Sequence, residues 1–574
     1  MNTIIRLVIM AVFVLNIFGA GKIYAQQKKD SLKFENYDLK EFYGPGKGDG
    51  ALVFLGESPM NEATVQVFPD GKIKVYHAPD RYSNKVMSME SEDGGFTWSQ
   101  SKVIFEDSII WQYPRHTLID QKGNIHLLVF QEPNLDVYHT ATSDGGETWK
   151  PLQKIADGRI GAIRGFIQTN SGRLIFGYHR HKWERKPPYG GCYISFVYSD
   201  DNGKTWTDTK SQIVAPVFEN YNGNNYGAVE PNLVQLSDGR LWMVCRTQNG
   251  WQYQSFSDDE GERWSKGEPS IFHSSNSPAD LLKLPDGRIA ITWCNTGDTD
   301  LKTFGRIYTH RDVLHMAISD NDGKSWKGFR EVFRIPSRND QNDMPGGDSG
   351  VAYPNTAFTK DGKIILVTGQ GEHGGGKAMF RISPEWLTET SQEDDFANGL
   401  EKWSCYTFKE LSKKPGRMLG PELLQAEGAK GGKILHVRKA DSAIFGDGAV
   451  WNFPMGRKGE LTMKVKIPKG SAGTAISLSD HHRHPNDPDG EQKAMFTIDS
   501  REFGNAQWQT VTLKWNLEKQ NCDLLIDEKL NSKISLKNRT ESGISYLRFR
   551  SLADKNAIDN EGILIDWVKV MVEN

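Results

Sequence analysis

The chain has 574 residues, a formal net charge of −3 and a mean hydropathy of −0.57. That length calls for more than one domain, and 16 Trp and 57 Gly among short Val/Ile/Thr/Tyr/Phe runs exclude disorder and predict a turn-rich, all-β protein. The near-neutral balance offers no basic field for nucleic acid or for an anionic membrane surface.

Residues 1–25 read as a secretory signal peptide. Arg6 gives the positive start, residues 7–20 the apolar stretch, and Ile23-Tyr24-Ala25 the cleavage site. No cysteine stands near that site, so no lipid anchor is expected. No other segment is long and apolar enough to span a bilayer after signal cleavage. The expectation is an exported protein, periplasmic or extracellular. The five cysteines are scattered and form no CxxC, so they read as buried small hydrophobes, not as a disulfide framework.

From residue 91 one turn motif recurs, S/T-x-D-x-G-x-T-W. The copies are Ser91–Trp98, Thr142–Trp149, Ser199–Trp206, Ser257–Trp264 and Ser319–Trp326. The fourth has Arg263 at the Thr position, and the fifth has Asn321 for the central Asp. The Asp side chain can accept from backbone N–H groups, Gly can take a positive φ, and Trp can pack the turn onto a sheet. The tryptophans are 51, 57, 58 and 62 residues apart. Such a period predicts a repeat architecture of β-propeller type.

A second set of turns interleaves with the first: Phe68–Gly71, Asp120–Gly123, Asn170–Gly172, Ser237–Gly239, Pro285–Gly287 and Lys360–Gly362. Each precedes an alternating apolar strand such as Ile364–Val367. Six turns predict six blades over residues 35–390, the sixth lacking its box and ending with Phe380–Leu387. Residues 28–55 are too short to make a seventh. Residues 388–393 read as a polar linker. Residues 394–574 carry no box but alternate, as in Trp508–Trp515 and Ile563–Val570. They predict a β-sandwich that is similar to concanavalin-like jelly rolls and is either a carbohydrate-binding module or a packing partner of the propeller.

The first strand of each propeller blade lines the axis. Blade by blade, it brings Asn61 and Glu62, Arg115 and His116, Arg164, Glu230 and Asn232, Ser277 and Asp280, and Tyr353 and Asn355 toward one mouth. A structural hub would be apolar. This ring suits a polar, anionic ligand.

The five boxes resemble the Asp boxes (BNR repeats) of the sialidase superfamily, and the resemblance extends in family order over about residues 55–387. The fourth blade of that family carries a Glu-Pro pair, an Asp-Gly turn and an Arg; here Glu230-Pro231, Asp238-Gly239 and Arg246 match. An Arg before the fifth box is matched by Arg311, ahead of Ser319. A Tyr eight residues before an Asp-Gly is matched by Tyr353, ahead of Asp361-Gly362. An Asp before the first box is matched by Asp80. The resemblance implies a Tyr353 nucleophile with Glu230 as its base, Asp80 as acid, and Arg246 and Arg311 on the substrate carboxylate. The first arginine of the family's triad is missing, because Asn61-Glu62-Ala63 stands in its place; Arg81, Arg115 or Arg164 could substitute, Arg115 first, with His116 as a further binding residue.

The chemistry suits a sugar whose anomeric carbon bears a carboxylate. Such a carboxylate repels a carboxylate nucleophile but not a phenol, and arginines hold it with charge-assisted bonds. The function implied is an exo-acting, retaining glycoside hydrolase releasing a terminal 2-keto-3-deoxy acid such as sialic acid or Kdo. The rivals are a propeller polysaccharide lyase acting on uronates and a non-catalytic glycan-binding propeller. The expected partner is a glycan or polysaccharide, with neither cofactor nor metal. The run His481-His482-Arg483-His484 attracts notice, but its spacing matches no zinc pattern.

Overall fold

In the computed structural model the described residues are 50–60, 62–80, 82–131, 135–158, 160–181, 191–218, 226–296, 311–334, 351–369, 377–408, 417–440, 446–487 and 489–573. The signal-peptide reading falls outside them. No helix among the described residues is long and apolar enough to cross a membrane.

The propeller has six four-stranded antiparallel blades. Blades one and two form one continuous sheet, because the long strand Lys102–Ile119 is the outermost strand of the first and the innermost of the second. Blade three starts with Ile160–Gln168, blade four with Val229–Gln235, blade five with Asp280–Lys283 and blade six with Asn355–Phe358. The six turns lie at the ends of these inner strands, where Gly71, Gly123, Gly172, Gly239, Gly287 and Gly362 each donate a backbone bond three residues back. Blade six does not finish with the strand Ala378–Ile382. Its outer strand is Leu52–Gly56 from the start of the propeller, so the ring is closed by the chain's own N-terminal side. The sequence reading missed this pairing because register between distant strands is not a local property.

Each box is a small hydrogen-bonded knot. In the first, Asp93 accepts from the Ser91 hydroxyl at 2.8 Å, the Thr97 N–H at 2.9 Å and the Thr97 hydroxyl at 2.6 Å, and the Ser91 hydroxyl accepts from Gly95 N–H at 2.8 Å. The Thr97 and Ser91 bonds hold the Asp93 carboxyl down at about 2. The substitutions keep the knot: Arg263 donates Nε to Asp259 at 2.7 Å, and the Asn321 amide donates to Ser325 at 2.7 Å. The tryptophans do more than seat the turn. Trp264 of blade four stacks on Phe196 of blade three at 3.9 Å, Trp326 of blade five meets Trp242 of blade four at 5.9 Å, and Trp206 of blade three meets His139 of blade two at 5.0 Å. The boxes therefore staple neighbouring blades together, far from the axis.

Most of the remaining strands make two stacked sheets, and Tyr406–Phe408 pairs with Arg417–Leu419 in a separate two-stranded ribbon. Ser391–Asp394, whose first three residues were read above as linker, is a strand that pairs with Asp559–Glu573 in the larger sheet. Trp403, Trp451 and Trp515 fill one apolar core between the sheets. All five cysteines are buried and free. The sandwich packs on blade five through polar contacts: the Tyr546 hydroxyl donates to Glu331 at 2.8 Å, and the Asn452 side chain pairs with backbone groups of Glu331 and Phe329 at 2.9 and 3.0 Å.

Candidate active site

The entrances to the inner strands are irregular. Val229 pairs with Arg246 and Pro231 with Cys245, so Glu230 between them has no partner across the ladder and adopts a φ of +53°. Tyr353 has a φ of +62° just before Pro354, and Glu62 has a φ of +57° at the same level of blade one. A left-handed φ costs a non-glycine residue about 1–3 kcal/mol, and a bulge re-aims a side chain. The register of blade three also slips opposite Arg164 and Gly165. A Cβ on Gly165 would meet the Leu233 backbone nitrogen at 2.8 Å, so blades three and four approach closely here.

These distortions bring Glu230, Arg246, Arg164, Arg311 and Tyr353 together, each nine-tenths or more buried. Arg246 is the hub. One guanidinium nitrogen, Nη1, donates to Glu230 Oε2 and to the Tyr353 hydroxyl, both at 3.2 Å. Its Nε donates to Asn276 Oδ1 at 2.6 Å. Arg311 Nη2 donates to the Asn276 carbonyl at 2.5 Å, and the Arg311 carbonyl receives the Val351 N–H, two residues before Tyr353. The Arg164 guanidinium lies 4.5 Å and that of Arg311 5.5 Å from the centroid of the Tyr353 ring. Arg164 also pairs with Glu62 at 3.1 Å. Burial works against charge on Arg164 and Arg246. It is outweighed by Glu62, Glu230 and Tyr353 around Arg164, and by Glu230 and Tyr353 around Arg246, so both are held above their usual range. No direct bond between Glu230 and the Tyr353 hydroxyl is among the described contacts; Arg246 bridges them.

One shell below, Asp280 ties three blades. It accepts from Asn232 Nδ2 at 2.8 Å and from the Thr356 N–H and hydroxyl at 2.8 and 2.5 Å. Asn232 stands two residues after Glu230, and Thr356 three after Tyr353. Burial pushes the Asp280 carboxyl up to about 6 despite these donors. A cavity of about 490 Å3 opens from the turn end of the axis and reaches Arg164, His116 and Asp280.

Asp80 is exposed on the loop between Ile73–His77 and the strand that starts at Tyr82. His116 is buried and faces the axial cavity. Arg81 falls outside the described residues, as does the side chain of Arg115, whose backbone sits at an irregularity between Pro114 and His116. Two residues were not singled out from the sequence. Asn276 binds two arginines; its signal was the polar run Ser274–Ser277, held by Gln252 Nε2 on the Ser274 hydroxyl at 2.7 Å and the Ser277 carbonyl at 2.8 Å. His179 receives the Glu230 N–H on Nδ1 at 3.2 Å, and nothing local marks it. His179, His181 and Cys192 lie within ligand reach of one another. That His179 nitrogen is already engaged, and burial pushes the Cys192 thiol up, away from the thiolate a metal needs.

Three cations surround one phenol, and a carboxylate shares a guanidinium with it, so the site can bind an anion. Residues 114–366 match the family described as BNR repeat-like domain. A sialidase of Paraclostridium sordellii is 25% identical over 225 residues, covering 34% of this chain and 54% of that protein. The chain thus spans about half the length of the curated relative it matches. Among solved structures, Trypanosoma rangeli sialidase in complex with 2,3-difluorosialic acid aligns with a TM-score of 0.38 at 13% identity, over 89% of this chain and 91% of that one. A protein of unknown function from Dyadobacter fermentans aligns with a TM-score of 0.41 at 16% identity, over 58% and 96%. The family match and the curated relative support the resemblance of the propeller to the sialidase superfamily.

Proposed function

We propose that the protein is an exo-acting glycoside hydrolase that releases a terminal 2-keto-3-deoxy acid sugar, of the sialic acid or Kdo class, with retention of configuration. The observation that carries this reading is the Arg246 guanidinium shared by Glu230 and the Tyr353 hydroxyl, with Arg164 and Arg311 on the Tyr353 ring.

In this reading Arg246, Arg311 and Arg164 hold the carboxylate on the anomeric carbon, Arg164 serving as the third cation. The phenol oxygen of Tyr353 attacks that carbon while its proton passes to Glu230, and the leaving oxygen departs with a proton from an acid. The covalent intermediate is then cleaved by water. Positive charge fixed around the phenol stabilises the negative charge that grows on its oxygen as the proton leaves. Asp80 serves as that acid in this reading, from the exposed loop before the strand that starts at Tyr82. Export as a soluble enzyme accompanies the proposal, from the residue 1–25 signal.

The test is a panel of sialyl, Kdo-bearing and uronate-bearing glycans with the released sugar identified by mass. A free keto acid is the expected product. An unsaturated uronate would instead establish a lyase, and binding without turnover a lectin. Tyr353→Phe should lower turnover of the released class by about a thousandfold or more while the protein still binds glycan.

A further inference from the structure

The loop His481–His484 has no role in this reading, yet it is buried against the propeller. We propose that His273, Asp480 and His481 form a divalent-metal site, suited to Zn2+, that clasps the sandwich to the propeller.

The three residues come from both domains. His273 ends the outer strand Glu268–His273 of blade four, and Asp480 and His481 follow the sandwich strand Thr474–Ser479. Their backbones are fixed from both sides. The His273 carbonyl accepts from Trp293 Nε1 at 2.8 Å. The Asp480 carbonyl accepts from Asn295 Nδ2 at 3.0 Å and from the Ser545 hydroxyl at 3.1 Å, and His482 N–H donates to the Asn295 carbonyl at 2.9 Å. A site set by the fold in this way needs little ordering when a ligand arrives.

The donors converge. Asp480 Oδ1 lies 2.6 Å from His481 Nδ1, and Oδ2 lies 3.3 Å from His273 Nε2. The two imidazoles stack with centroids 4.2 Å apart. One ligand atom from each residue falls within 4.8 Å of the others. Asp480 has no solvent exposure, and His481 only 2%. Two buried atoms of this group lack a hydrogen bond: His481 Nε2, and Asp480 Oδ2, which His273 approaches without hydrogen-bond geometry. Buried polar atoms without a partner are costly. An anion sealed between two imidazoles without a full set of donors is what a cation would complete.

Two nitrogens and one carboxylate oxygen are a borderline donor set, which favours Zn2+ over the oxygen-seeking Ca2+ and Mg2+. Ligands about 2.1 Å from a tetrahedral zinc stand about 3.4 Å apart. Asp480 Oδ2 and His273 Nε2 already stand at that spacing, while His481 Nδ1, hydrogen-bonded to Oδ1 at 2.6 Å, must give up that bond to turn a nitrogen toward the same ion. The side chain of His273 is 21% exposed, which leaves an entry path and room for a water as fourth ligand.

The experiment uses the full chain, loaded with ZnCl2, dialysed and assayed for zinc by mass spectrometry, with thermal unfolding in parallel. The expected result is about one zinc per chain and a Tm that rises with zinc and falls back with chelator. His273→Ala, at the half-buried ligand, should remove both effects while leaving the metal-free Tm close to wild type. Asp480→Asn should also remove both, and His181→Ala, in the other histidine group, should keep them. The proposal is overturned if wild type retains no zinc and its Tm ignores it, in which case the three residues are only a hydrogen-bonded cluster. It is equally overturned if His273→Ala retains zinc, which would put the metal elsewhere.

Discussion

The rim and the mouth of the propeller are built by opposite rules. At the rim, each Asp box closes its bonds within eight residues, its polar groups face water, and its tryptophan bridges to the previous blade. At the mouth, the bonds run between blades: Arg246 to Tyr353 spans 107 positions, and Arg164 to Glu62 spans 102. There, charges are buried and left-handed backbone is tolerated at Glu62, Glu230 and Tyr353. The rim uses cheap local geometry to hold blades together. The mouth spends that stability on charges that pair only while the blades stay in place.

The sharpest way to break this contrast is to remove one hub charge. Arg246→Ala leaves Glu230 buried beside an unanswered phenol. It should destabilise the protein by about 3–5 kcal/mol, read by urea unfolding, besides abolishing turnover of the released sugar. A loss no larger than that of a surface arginine would mean that the mouth is wetter and looser than its burial indicates.

Next comes the acid beneath the mouth. An ordinary Asp titrates near 3.8, and Asp280 in the folded chain near 6. Between those values the unfolded chain has released the proton and the native state still holds it. The group therefore favours folding at acid pH and loses that contribution as pH rises through about 6. The difference is about 2 kcal/mol between pH 4 and pH 7. Asp280→Asn should flatten the stability–pH curve over that window, measured by denaturant unfolding at half-unit steps; an unchanged slope would remove Asp280 as the titrating group.

Arg164→Ala sharpens the comparison in catalysis. Loss of one charge-assisted contact costs about 1.5–3 kcal/mol, or about tenfold to a hundredfold in kcat/KM on the identified substrate. If Arg115→Ala shows that loss and Arg164→Ala does not, the third cation comes from blade two.

The smallest effect belongs to the rim. Gly261 has a φ of +93°, and a Cβ there would meet Ile175 Cδ1 at 2.2 Å. Gly261→Ala should cost about 1–3 kcal/mol and leave kcat/KM unchanged. A selective loss of activity would couple rim to mouth.

The legibility of the sequence follows the same division. The boxes and turns could be read because each is a local bargain among Asp, Gly, Thr and Trp. Glu230, Arg246 and Tyr353 could be read only as parts of an ordered pattern, since none carries a local mark of its burial. Asn276 and His179 were not found, because an amide on a polar loop and a histidine on a strand acquire meaning only from what another blade places against them. Arg115 and Arg164 looked alike in sequence, and only the packing of blades one, three and six set Arg164 against Glu62 and Tyr353.

By itself, then, the sequence determined a six-bladed, all-β propeller with a second β domain, because turn chemistry and strand alternation act over a few residues. Tertiary structure decided the closure of blade six by Leu52–Gly56, the conversion of residues 391–393 from linker to strand, the bridging of Tyr353 and Glu230 by Arg246, and the burial of His481 against His273. These depend on register and approach between segments far apart in the chain, and no short window of residues contains that information.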